Sequence, residues 1–118
     1  MHGLDKTTDL GFLLNKELEQ LCLGPHECQL KFGAEVSISI QCDLKLDHDG
    51  EVFAITSERI EETSNLACLV GKKVSKFEIQ DGGRLALSFT SHDKLTLFDS
   101  NRNFESYVIW NKGDFIAI

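Results

Sequence analysis

Seven carboxylates crowd one stretch of the chain: Asp43, Asp47, Asp49, Glu51, Glu58, Glu61 and Glu62, opposed only by Lys45 and Arg59. Seven minus two leaves five of the net seven negative charges within residues 43–62. On a contiguous surface such a set would steer a basic protein and occupy a site built to hold phosphates. On a solvated loop it would do no more than surround a capped turn with charge. The first reading makes these seven residues the candidate partner-binding set.

Other chemistry has less to work with. Asp47-His48-Asp49-Gly50 opens like a calcium loop, but no bidentate glutamate follows at the twelfth position and the glycine is not at the sixth. Cys22, Cys28, Cys42 and Cys68 are spaced by 6, 14 and 26 residues, with no Cys-x-x-Cys pair and no histidine at ligand spacing, so no metal site is expected. Adjacent Glu61 and Glu62 diverge on a helix or a strand and make a poor acid/base couple. Gly82-Gly83 falls in a hairpin, not between a strand and a helix, so it cradles no phosphate. His2, His26, His48 and His92 have no nearby partner in the sequence that would make a nucleophile and its base, although strands can bring distant residues together. The inventory names no catalytic residue and no cofactor, and points away from an enzyme. Tyr107, Trp110, Phe104 and Phe115 cluster late in the chain, to fill a core or to anchor an interface.

The element that positions the acidic stretch is the run from Glu35 to Leu46. Val36, Ile38, Ile40, Cys42, Leu44 and Leu46 share one parity, and Glu35, Ser37, Ser39, Gln41, Asp43 and Lys45 the other. Twelve residues of period two make a strand with a dry face and a wet face, and exclude a helix. The run exceeds the usual length of a strand, so a bend or bulge and more than one pairing partner are expected. Cys28, with Leu30 and Phe32, and Cys42, on the dry parity, read as small buried hydrophobes. Other strands are expected at 17–23, 28–32, 51–55, 73–80, 84–90, 94–98, 105–110 and 114–118, after a loosely structured lead-in over 1–12. Turns fall at Gly24-Pro25-His26-Glu27, Gly33-Ala34, Asp47-His48-Asp49-Gly50, Asp81-Gly82-Gly83 and Ser91-His92-Asp93. One short helix is expected at about 63–69, with Ser57 or Thr63 able to cap its start and Gly71 to end it.

The chain also repeats itself. Leu13, Leu14, Leu18, Leu21 and Leu23 line up with Leu69, Val70, Val74, Phe77 and Ile79 at an offset of 56. Cys28, Leu30 and Phe32 follow on Leu85, Leu87 and Phe89 at 57, and Val36 and Ile38 on Leu95 and Leu97 two residues later. In both copies the apolar spacing goes from three to two, as a bulge near the start of the first strand would produce. The expected architecture is therefore all-β or mostly β, one domain over 1–118, with similar antiparallel halves at 13–46 and 69–110 forming a sandwich or a half-barrel.

Net charge argues against nucleic acid or an anionic membrane as the partner. No basic segment precedes an apolar core at the N-terminus, and no apolar run reaches eighteen residues, so a reducing cytoplasm is expected.

The second half resembles a known group. The order Leu69-Val70-Gly71-Lys72-Lys73-Val74, Phe77-Glu78-Ile79, Gly83-Arg84-Leu85-Ala86-Leu87-Ser88-Phe89, Lys94-Leu95-Thr96-Leu97, Phe104-Glu105-Ser106-Tyr107 and a closing Gly113-Asp114 strand is similar to small bacterial β-domains of uncharacterised function. Related domains look like immunity proteins encoded beside polymorphic or contact-dependent growth-inhibition toxins. The resemblance covers about 69–118 well and 13–40 weakly. It implies a toxin inhibitor, monomeric or weakly dimeric, that binds one cognate toxin, a basic nuclease in the first instance, and needs no cofactor. The alternative is a small-ligand-binding β-domain with a cavity between the halves.

Overall fold

The computed structural model describes residues 6–100 and 105–118, so Phe104 and the start of the lead-in lie outside the described residues. Among the described residues ten strands form: β1 (Gln20–Leu23), β2 (Cys28–Lys31), β3 (Val36–Ile40), β4 (Asp43–His48), β5 (Glu51–Thr56), β6 (Val74–Gln80), β7 (Arg84–Phe89), β8 (Lys94–Leu97), β9 (Tyr107–Asn111) and β10 (Asp114–Ala117). They make two antiparallel five-stranded sheets, ordered β1-β2-β3-β9-β10 and β5-β4-β8-β7-β6. No closed barrel forms; the two sheets bury one shared interior between them.

The twelve-residue run keeps its parity but not its sheet. Val36, Ile38, Ile40, Cys42, Leu44 and Leu46 are all buried, yet the ladder breaks between Ile40 and Asp43. β3 pairs with β2 and β9 in one sheet, while β4 pairs with β5 and β8 in the other. The expected bend with several partners is thus a crossing between sheets. Unbroken alternation allows it, because the same side stays dry on both sides of the corner.

Each sheet is a three-strand meander from one half of the chain, flanked by a hairpin from the other half. The meander β1-β2-β3 receives β9-β10, and β6-β7-β8 receives β4-β5. The halves meet where the repeat starts: Glu17 bridges Lys73, its own counterpart at offset 56. The flanking bonds obey the same exchange, with Leu18 N–H donating to Lys72 O and Val74 N–H to Lys16 O, both at 2.9 Å. Asn15 (φ 66°) and Gly71 (φ 89°) occupy the same left-handed position in the two halves. The register of β6 against β7 shifts between Val74 and Lys76, which is the bulge the spacing of three expects. The similarity also extends into the hairpins, beyond the limits expected from sequence: Leu46 to Ile55 aligns without a gap on Ile109 to Ile118 at an offset of 63, with Gly50, Ala54 and Ile55 on Gly113, Ala117 and Ile118. Both hairpin turns carry two positive φ values, Asp49 and Gly50 in one, Lys112 and Gly113 in the other.

Two expectations need correction. The lead-in is not loose at its end, since Leu10 is fully buried beside Leu13 and a 3-10 turn spans Gly11–Leu13. The helix starts earlier and winds tighter than expected: α1 covers Ile60–Thr63 and a 3-10 segment continues over Ser64–Leu69. No side chain caps α1; the Thr63 hydroxyl instead donates back to the carbonyls of Arg59 and Ile60. Leu66 and Leu69, three apart on this segment, are both buried. A 3-10 turn stacks residues three apart, so packing of these leucines against the sandwich favours it over an α-helix.

Magnitudes decide what places the β4-β5 hairpin. Each fully buried leucine contributes about 1.5–3 kcal/mol, against about 0–1 for an exposed ion pair such as Arg59–Glu61. Leu44, Leu46 and Ile55 therefore hold the hairpin, and the acidic residues follow the position that packing sets.

Candidate functional site: the β4-β5 hairpin

The seven predicted carboxylates are brought to one hairpin and its exit, but not into one patch. Asp47, Asp49 and Glu51 surround the hairpin tip; Asp43, Glu58, Glu61 and Glu62 gather at its base, where β5 leads into α1. The outward positions Asp43 and Asp47 are separated by about 13 Å of strand. Lys45 stands between them, and Lys94 of β8 is paired directly opposite Asp47.

Between the acidic ends the surface is apolar. Val52, 64% exposed, and Ala54 face outward from β5, which is an edge strand of its sheet. With Phe98 and the stem of Lys45 they floor an open groove of about 590 Å³, bounded at one end by Asp43 and Glu62. Glu62 is already engaged: its carboxylate accepts the Thr56 N–H at 2.9 Å, sealing the end of the edge strand, and lies 3.6 Å from Arg59. Asp43, Asp49, Glu51, Glu58 and Glu61 are the more exposed members. The arrangement suits an extended segment with basic residues at both ends and apolar ones between, added alongside β5.

The same hairpin places a second group that linear spacing does not show. His48 continues the inward parity of Leu44 and Leu46, so its ring turns toward the end of the sandwich. There its Nδ1 lies 2.6 Å from Oδ1 of Asp93 in the β7-β8 turn. The Ser91 hydroxyl donates to the other Asp93 oxygen at 2.6 Å, and Asp49 Oδ2 lies 3.4 Å from His48 Nε2. Cys68, on the 3-10 segment, completes the group, with its Sγ, a His48 ring nitrogen and an Asp93 oxygen all within 4.8 Å of one another. The Asp93 hydrogen bond raises the imidazole's pKa. Burial pushes the Asp93 carboxyl up, but the bonds from Ser91 and His48 outweigh it and hold it below the usual range. Burial, then the charges of Asp93 and Asp49, raise the Cys68 thiol, so it is not primed as a nucleophile.

The late aromatics divide. Tyr107 is buried and its hydroxyl donates to Gly83 O at 2.7 Å, tying β9 to the β6-β7 turn of the other sheet. Trp110 and Phe115 pack with ring centroids 5.1 Å apart on an outer face and stay exposed, although core filling is the commoner fate of such residues. At the Glu105-Ser106-Tyr107 corner it is the Ser106 hydroxyl, bonded to Asp99, that makes the side-chain link.

Among the described residues no helix is long and apolar enough to cross a membrane. A family model described as "Family of unknown function (DUF6188)" matches residues 13–118. Comparison with curated proteins and with solved structures returns no match.

Proposed function

We propose, for a chain that belongs to the DUF6188 family of unknown function, a partner-binding role: neutralising one basic protein toxin, a nuclease in the first instance, by laying the β4-β5 hairpin over its active site. The observation that carries the reading is the groove along edge strand β5, apolar at Val52 and Ala54 and closed at one end by Asp43 and Glu62, on a hairpin whose tip carries Asp47, Asp49 and Glu51. The exposed backbone of β5 supplies ladder bonds, the apolar floor supplies burial, and the carboxylates supply steering toward a basic surface. The likeness of residues 69–118 to immunity domains supplies the toxin. Four unpaired cysteines fit a reducing cytoplasm as the place where such a complex forms. A ligand cavity between the halves draws no support from the interior, which Leu30, Ile38, Leu46, Leu87, Phe89 and Leu97 fill.

The test is a pull-down with the tagged protein from its host's lysate and secreted fraction, at about 0.1 M and about 0.5 M salt, across which screening of exposed charges rises. A basic protein should be retained and should weaken at the higher salt. The combined change Asp43→Lys, Asp49→Lys, Glu58→Lys and Glu61→Lys should reduce its affinity by about tenfold or more. Glu62 and Asp47 are left alone, since Glu62 closes β5 and Asp47 faces Lys94. Retention that ignores these four reversals would remove the interface, and failure to retain any basic protein would remove the function.

A further inference from the structure

The group at the hairpin tip lies apart from that groove and asks for its own explanation. Its three donors come from separate elements: His48 from the end of β4, Cys68 from the 3-10 segment, and Asp93 from the β7-β8 turn. The repeat offers an internal control. By the offsets of 63, 56 and 59 that align the halves, the counterparts of His48, Cys68 and Asp93 are Asn111, Phe12 and Ala34. Those three line one concavity at the corresponding corner of the other half. Similar corners thus hold an imidazole, a thiol and a carboxylate in one half, and an amide, a phenyl ring and a methyl group in the other. At these three aligned positions only one half carries a set of metal-binding side chains.

From this juxtaposition we infer that His48, Cys68 and Asp93 form a three-ligand site for a divalent transition ion of the zinc class. A thiolate, an imidazole and a carboxylate make a donor set such an ion takes, and two negative ligands balance its charge. The supporting contacts are those a ligand set needs. Ser91 holds one Asp93 oxygen and leaves the other turned toward His48, while the Asp49 carboxylate stands 3.4 Å from Nε2 on the far side of the ring from Asp93. Nitrogen and oxygen bound to one tetrahedral ion at about 2.0 Å each stand about 3.3 Å apart. The observed 2.6 Å between His48 Nδ1 and Asp93 therefore opens by less than an ångström on loading. The His48 side chain is 34% exposed, which leaves a fourth position facing solvent for water or a partner's side chain. On binding, the Cys68 thiol gives up its proton to the buffer, with any proton carried by the His48 nitrogen that takes the ion, as the metal bonds form, and nothing is oxidised or reduced. The ion would join the hairpin tip, the β7-β8 turn and the segment between the halves.

The experiment titrates the chelator-treated full chain with Co²⁺, read by absorbance, and with Zn²⁺, read by calorimetry in two buffers of different ionisation enthalpy. The expected result is one equivalent per chain, proton release, a thiolate-to-cobalt charge-transfer band, the strong visible bands of a four-coordinate ion, and a Zn²⁺-dependent rise in Tm. Cys68→Ser should abolish the charge-transfer band, and His48→Asn, which copies the other half, should weaken binding by at least a hundredfold. Cys22→Ser and His26→Ala should leave binding unchanged. Folding of each variant is checked by circular dichroism. Should a ligand variant fail to fold, Ser91→Ala and Asp49→Asn carry the test, each expected to weaken binding about tenfold or more. A folded chain that takes up no ion, or binds one with no thiolate band, overturns the inference. So does binding that Cys22→Ser weakens as much as Cys68→Ser.

Discussion

Cys28 and Cys42 show how local environment, not residue type, sets chemistry in this chain. Both sit on inward-facing parities, are unpaired and are buried. Burial, with a smaller push from Glu27, raises the Cys28 thiol to about 12, and burial raises Cys42 further, against a lowering bond from the Phe98 backbone. At pH 8 only about one Cys28 in ten thousand would be thiolate. A thiol reagent at that pH should label half-buried Cys22 and Cys68 within minutes and reach Cys28 and Cys42 only as the chain unfolds; rapid labelling of four thiols in the native protein would contradict the packing described. These two buried positions were legible from alternation alone. The tip group was not: His48 and Asp93 are 45 residues apart. Parity alone could have pointed His48 inward, but nothing in the linear order places Cys68 beside it.

At the scale of elements, the hairpins show which local signals suffice. Aspartate followed by glycine between alternating apolar residues announces a two-residue turn, and the turn forms with φ 51° at Asp49 and 78° at Gly50. No atom lies within 4 Å of where a Cβ would sit on Gly50, so the position needs glycine for its backbone conformation and not for space. Gly50→Ala should therefore cost about 1–2 kcal/mol in urea unfolding, through left-handed strain alone. Asp49→Gly relieves the neighbouring positive φ and should be neutral or slightly stabilising. Equal loss from both changes would mean that side-chain contacts, not backbone conformation, govern the turn. Edge strand β5 was legible as a strand but not as an edge. Its outward Val52 and Ala54 read as an ordinary wet face with apolar members, and only the sheet order reveals that no strand covers that side.

At the scale of the molecule, the exchanged hairpins bind the two halves into one thermodynamic unit. Neither meander keeps its own hairpin, so melting one sheet strips two strands from the partner half and uncovers the shared core. Both sheets should therefore unfold together. Fluorescence of Trp110, the sole tryptophan, reports on β9 in one sheet, and hydrogen exchange of β7 and β8 reports on the other. In urea the two transitions should coincide in midpoint and slope. A sheet that melts separately would mean that the halves are independent domains joined by their hairpins.

The sequence by itself determined what depends on neighbours along the chain: most strand positions, the dry face of the run that becomes β3 and β4, the bulge at the start of β6, the turn glycines and most of the repeat. Side-chain parity and turn conformation are local properties, and a buried face of about 1.5–3 kcal/mol per large residue leaves little room for a slipped register. Only the tertiary structure decided where the chain crosses from one sheet to the other, because alternation reads the same on both sides of the corner at Gln41 and Cys42. It alone decided that the carboxylates divide between the tip and the base of one hairpin. It alone brought His48, Cys68 and Asp93 to one corner and set Asn111, Phe12 and Ala34 at the other. Contacts between distant residues depend on how whole sheets stack, and no local pattern along the chain encodes that.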